Sequence, residues 1–265
     1  MARSSESCSW YENPSEATPC RFESGPGHHP KLIKEEKLTV PEMHSPDLTP
    51  EELLTTTRAV RKRLDLERGV DIDIIKECIG VATQAPTGGN TQGWSFVVVA
   101  DAGQRAALAE LYRRAWKIYK QAPGSVYDLF AQEPSGARKD QFGRVAESAD
   151  YLVEHLHRVP VHVVPCIGGR VDRISGDFAS VGLASVYGSI LPATWSFMLA
   201  ARARGIGTAW TTCHLMFEEE AAGILGIPYD KISQVALIAT AYSIGTDFKP
   251  SLRKPIDDIL HIDRW

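Results

Sequence analysis

An excess of charge of one sign is what this sequence most plainly lacks. Its 265 residues carry 29 Lys plus Arg against 33 Asp plus Glu, a formal net charge of −4, with the two signs interspersed. No basic block stands ready to neutralise a phosphate backbone, so nucleic acid is not an expected partner, and no acidic tail is present. Cysteine is scarce too. Cys8, Cys20, Cys78, Cys166 and Cys213 make an odd count with no C-x-x-C pair. That excludes a disulfide framework or a zinc ribbon and reads as reduced thiols in a cytoplasmic protein. No charged segment followed by an apolar run opens the chain, so no secretory signal is expected.

Long apolar runs are nearly absent. Val181 to Ala201 is a long stretch without a charged residue, and it holds Gly182, Gly188 and Pro192. Its length would let it span a bilayer, but the glycines, proline and hydroxyls suit a buried or interface helix broken near Pro192. No membrane association is expected. The usual chemical signatures are missing as well: no G-x-x-x-x-G-K-[ST], no G-x-G-x-x-G between strand and helix, no G-x-S-x-G and no H-E-x-x-H. Cys213 beside His214 suggests a thiol nucleophile only if both face one side, which adjacent residues on a strand do not. No metal site is expected; Cys8, Cys20, His28 and His29 fit no zinc spacing.

What remains is a soluble chain, 43% hydrophobic and 23% charged, long enough for one sizeable core. Residues 1–45 are punctuated by serine and proline with no apolar periodicity and read as a disordered extension, leaving a domain at 46–265. Met43 stands just before the first helix signal, so residues 1–42 are expected to lie outside the fold.

Thr49-Pro50-Glu51-Glu52 is a helix start, with a cap, a proline at the first position and a capping-box glutamate. Asp71 and Asp101 cap two further helices, the second reaching about Lys120. Residues 121–139, rich in Pro, Gly and Ser, read as a long loop or lid. Helices are expected at about 141–157, 183–204 and 217–225. Strands are expected at 94–100, 159–167, 206–213 and 234–242, the second at an edge or a strand end because of its prolines and the last central.

Two stretches carry chemistry. Thr57-Arg58-Ala59-Val60-Arg61-Lys62-Arg63 is a cationic turn, either a solvated patch or a phosphate cradle of guanidinium forks. Ala85-Pro86-Thr87-Gly88-Gly89-Asn90-Thr91-Gln92-Gly93-Trp94 is a tight polar loop leading into a strand, either an ordinary turn or a ligand-binding loop.

With Gly205-Ile206-Gly207-Thr208-Ala209-Trp210, Gly226-Ile227-Pro228 and Arg253-Lys254-Pro255-Ile256, these pieces resemble the FMN-dependent nitroreductase family in order, over about 47–265. The resemblance implies an α+β fold, a mixed sheet flanked by helices, in an intertwined homodimer with FMN at the subunit interface. It implies that Arg58, Ala59, Arg61 and Arg253 bind the FMN phosphate and polar edge, Ala59 through its backbone N–H. Pro86, Thr87 and Asn90 would come from the partner, and Thr211 and Thr212 would lie near flavin N5. Thr57, Ala59 and Gly93 depart from the family's arginine, serine and proline. The implied activity is transfer of hydride from NADH or NADPH through FMN to a nitroaromatic, quinone or related small-molecule electron acceptor, with no catalytic side chain. The same scaffold also resembles reductive dehalogenases, flavin-fragmenting enzymes and azoline oxidases, and a flavin-binding protein without turnover is the remaining alternative.

Overall fold

A computed structural model describes residues 46–265; the expectation of an extension over 1–45 lies outside them. Helix α1 (Pro50–Thr56) opens with the capping box in place: Thr49 Oγ1 accepts from Glu52 N, and the Glu52 carboxylate accepts from Thr49 N at 2.8 Å. Asp71 caps α2 (Ile72–Ala82), and Asp101 caps α3 (Ala102–Tyr119), each side chain accepting from a backbone N–H of the first turn.

Among the described residues, five strands build the sheet: β1 (Trp94–Val99), β2 (Val161–Gly168), β3 (Ile206–Thr211), β4 (Ile232–Gln234) and β5 (Leu237–Tyr242). Their order is β1-β2-β5-β3, with β4 also paired to β2. The ladders between them are antiparallel; parallel pairing reduces to isolated bridges, one of them Ala59 to Thr208. Alternation along β2 divides the core. Val161 and Val163 pack with Ile75, Cys78, Phe197 and Met198 on one face, and Val164 and Cys166 with Leu108, Leu152 and Leu156 on the other. Because helices cover both faces, all six residues of β5 are buried and the strand reads as a continuous apolar run.

Several expectations are corrected. β2 is interior although Pro165 lies within it. Pro165 stands opposite the break between β4 and β5, and its carbonyl accepts from Val235 N there at 2.9 Å. A strand residue's N–H and C=O point the same way, so the missing donor falls where the ladder is already interrupted.

Residues 121–139 are not a loop throughout. They contain α4 (Val126–Gln132) and the start of α5 (Ala137–His155). Ser125 caps α4, and Asp128 accepts from Gly124 N. The Tyr127 ring lies edge-on to Trp116 at 6.1 Å. An element of seven residues is too short to show periodicity; α4 packs against α5, with Tyr127 reaching Trp116 of α3.

Helix α6 (Ala179–Ala203) runs through Pro192 without a break. A proline inside a helix costs about 3 kcal/mol, which burial of Ile190, Ala193, Phe197, Met198 and Ala201 outweighs. By length and composition α6 could cross a membrane, but it packs against α2 and the sheet as a core helix. β3 stops at Thr211, and Cys213–Phe217 forms a 3-10 turn before α7 (Glu218–Leu225), so Cys213 and His214 are not strand neighbours.

Candidate functional site

Segment 58–65 lies along the edge of β3 and holds the candidate arginines there. Val60 N donates to Thr208 O at 2.8 Å, and Asp65 N to Tyr242 O at 2.8 Å. Gly207 permits the close approach: a Cβ there would come within 2.9 Å of Val60 Cγ1 and 2.7 Å of Ser243 Oγ. The G-x-G-T stretch is therefore the surface on which the arginine turn lies.

Arg61 is half-buried, and its Nη1 donates to Ser148 Oγ of α5 at 3.3 Å. Burial, with the Arg58 charge beside it, holds its guanidinium below the ordinary value. Arg58 is exposed and donates to Lys249 O at 3.3 Å. Neither has a carboxylate partner among the described residues, whereas Arg63, Arg114, Arg158, Arg170 and Arg204 all do. Two neighbouring cations left unneutralised are a donor set that suits a phosphate dianion. On that ground the chain fits a phosphate-bearing cofactor. Arg253 lies four residues beyond Lys249, is exposed, and reaches the carbonyl of its neighbour Leu252 at 3.1 Å.

Thr211 and Thr212 stand at the end of β3, on the same edge strand as the arginine turn. Thr211 Oγ1 lies 2.7 Å from the phenol of Tyr112 on α3, a residue 3% exposed and neighboured by the Arg61 charge. In the turn that follows, His214 is fully buried with both ring nitrogens unpaired. Burial depresses its pKa to about 3, and that of His162 to about 4. Burial pushes the Cys78 thiol up to about 11 and that of Cys166 up to about 12, as suits inert core cysteines.

The loop before β1 is elsewhere. β1 and β3 are opposite ends of the strand order, three spacings or about 14 Å apart. One chain therefore does not bring Pro86, Thr87 and Asn90 together with Arg58 and Arg61. Within the loop, Asn90 N donates to Thr87 O and Gln92 N to Thr87 Oγ1. Gly89, Asn90 and Gln92 all have positive φ, at 58°, 52° and 49°. Such strain in non-glycine residues persists where surroundings impose it and concentrates at binding sites. Gly88 N donates to Ser189 Oγ at 3.1 Å, so the loop sits against α6. On that helix Val181, Leu191 and Trp195 are exposed at 66, 37 and 38%. These exposed side chains give α6 an apolar stripe beside the loop.

Tyr112 and Ser148 are not legible as site residues in the sequence. Tyr112 follows Leu108 at helical spacing and reads as core; nothing local shows its hydroxyl reaching Thr211.

The family model for the Nitroreductase family matches residues 54–242. Among solved structures, the chain is similar to an FMN- and NADPH-dependent nitroreductase from Sphigopyxis sp. strain HMH, with TM-score 0.54 and 20% identity over 82% of this chain and 100% of that one. It is similar to an iodotyrosine deiodinase bound to FMN and 3-iodo-L-tyrosine, with TM-score 0.57 and 17% identity over 81% and 97%. A BluB-like flavoprotein from Clostridium difficile 630 matches with TM-score 0.58 and 16% identity over 82% and 100%. At these identities the likeness establishes the α+β fold.

Proposed function

This chain belongs to the nitroreductase family, and from that premise we propose that it is a cytoplasmic, homodimeric FMN oxidoreductase. NADH or NADPH serves as its reductant, and a nitroaromatic, quinone or related small molecule as its acceptor. The observation that carries the proposal is the unneutralised pair Arg58 and Arg61 laid along β3. Bound FMN would supply the hydride chemistry. The chain's own residues bind, orient and neutralise it. Arg58 and Arg61 hold the phosphate and polar edge, the Ala59 backbone N–H adds a donor, and Arg253 approaches from the tail. Thr211 and Thr212 border the isoalloxazine.

The second subunit completes the site in this reading. Its Pro86, Thr87 and Asn90 would cover the flavin that the first subunit's arginines hold. Two features support it: the separation of loop and arginines within one chain, and the apolar stripe of α6 beside that loop. Docking two α6 stripes removes apolar surface from water and carries each loop toward the other subunit.

The test is reconstitution. Purified protein is mixed with FMN, bound flavin is measured per chain, and the complex is exposed anaerobically to NADH or NADPH. One FMN per chain and bleaching of the flavin spectrum are expected. A protein that takes up no FMN overturns the proposal; one that binds FMN without bleaching is a binder without this turnover.

A further inference from the structure

Among the described residues, Tyr112 is the buried phenol that touches a proposed flavin-bordering side chain. Its oxygen is 2.7 Å from Thr211 Oγ1. The Arg61 charge acts on the same phenol, and the Cys213 thiol also lies against it. A phenol has one hydrogen to donate, and a threonine hydroxyl has one hydrogen and two lone pairs. A nearby cation favours a phenol oxygen turned toward it and a hydrogen turned away. If the phenol gives its hydrogen to Thr211 Oγ1, the Thr211 hydrogen is released to point off the end of β3. Thr211 then faces the site as a donor.

Resting on the flavin reading above, we propose that Tyr112 is a positioning residue that orients the Thr211 hydroxyl as a hydrogen-bond donor toward the bound flavin. Burial fixes the phenol: Tyr112 is 3% exposed, and its ring stacks on Trp116 at 6.1 Å. Trp116 is itself tied down, donating from Nε1 to Asp150 at 2.9 Å. The aromatic stack of α3 thus holds a hydroxyl at the end of β3, and the burial that keeps the phenol protonated leaves it a hydrogen to give. A donor aimed at the flavin favours its electron-rich reduced form, because hydrogen bonds to the ring tune its electronics. Linked hydroxyls polarise one another, so the second donor is stronger for the first.

The experiment is an anaerobic redox titration of the FMN-loaded protein against a reference dye, for wild type, Tyr112→Phe, Thr211→Val, Thr211→Ser and the double variant Tyr112→Phe/Thr211→Val. Tyr112→Phe is expected to shift the reduced-to-oxidised ratio about tenfold toward oxidised flavin, or about 30 mV for a two-electron couple. Thr211→Val shifts it at least as far, the double variant matches Thr211→Val alone, and Thr211→Ser keeps the wild-type potential. A role for Tyr112 in packing alone would lower the melting temperature and leave the potential unmoved, which overturns the proposal. So does a double variant in which the two shifts add. If Tyr112→Phe does not fold, the Thr211→Val and Thr211→Ser pair decides: equal potentials overturn the proposal. A wild type that binds no FMN overturns the flavin reading itself, and a wild type that binds FMN with unmoved variants overturns this inference alone.

Discussion

The two halves of the candidate site are built in opposite ways. The arginine half is anchored through its backbone to β3, with Arg61 half-buried against α5 and Thr211 tied to Tyr112. Its side chains have a floor within the chain. The loop half is bonded to itself and to Ser189, carries three positive-φ residues in four positions, and leaves Asn90 exposed. Its polar groups face outward. One half is therefore held by the fold of the chain itself, and the other is free to be completed by the second subunit proposed above.

The largest effect should come from denying the loop half its partner. Trp195→Glu places a charge on the exposed stripe of α6, where docking would desolvate it at a cost of several kcal/mol. Sedimentation should show a monomer, and FMN content should fall with it; a dimeric, flavin-loaded variant would break the comparison. Next is Arg61→Ala. Removing one partner of a desolvated charge pair costs about 2–5 kcal/mol, so FMN affinity measured by fluorescence titration should fall at least about thirtyfold. Arg58→Ala, at an exposed position, should cost less.

A third test concerns the floor of the arginine half. His214 and His162 are buried neutral, with pKa values near 3 and 4 against about 6.5 unfolded. The unfolded chain binds the extra protons first, so stability present above pH 6.5 is lost as pH falls. Each histidine removes about 1.4 kcal/mol per pH unit below that, until its folded pKa is reached. Denaturant melts between pH 7 and 5 should show this slope, and His214→Leu should roughly halve it, leaving the His162 share. The smallest effect belongs to the loop. Gln92→Gly relieves a left-handed conformation and should stabilise the chain by about 1 kcal/mol, read as a rise in melting temperature. A loss instead would mean that the Gln92 side chain holds the loop, by its bond to Asn90.

Much of the fold is legible locally. The capping residues Thr49, Asp71 and Asp101 act within three residues of themselves, and each helix they open is present. The apolar run ending at Tyr242 reads as a central strand because a sheet covered on both faces leaves no polar side. The loop expectation for 121–139 fails because a helix of seven residues is too short to show periodicity, and the edge expectation for β2 fails because a proline's place in a sheet depends on what stands opposite it. The arginine turn and the strained loop are visible as candidates, yet no local pattern says that one rests on β3 and the other beyond β1.

By itself, then, the sequence determined the caps, the alternation of the strands and an arginine turn suited to phosphate. Those depend on residues a few positions apart. The tertiary structure alone decided that Arg61 meets Ser148, that Tyr112 meets Thr211, and that loop and arginines stand at opposite edges of one sheet. Such pairings join residues 87 and 99 positions apart, and only the order and direction of the strands set them.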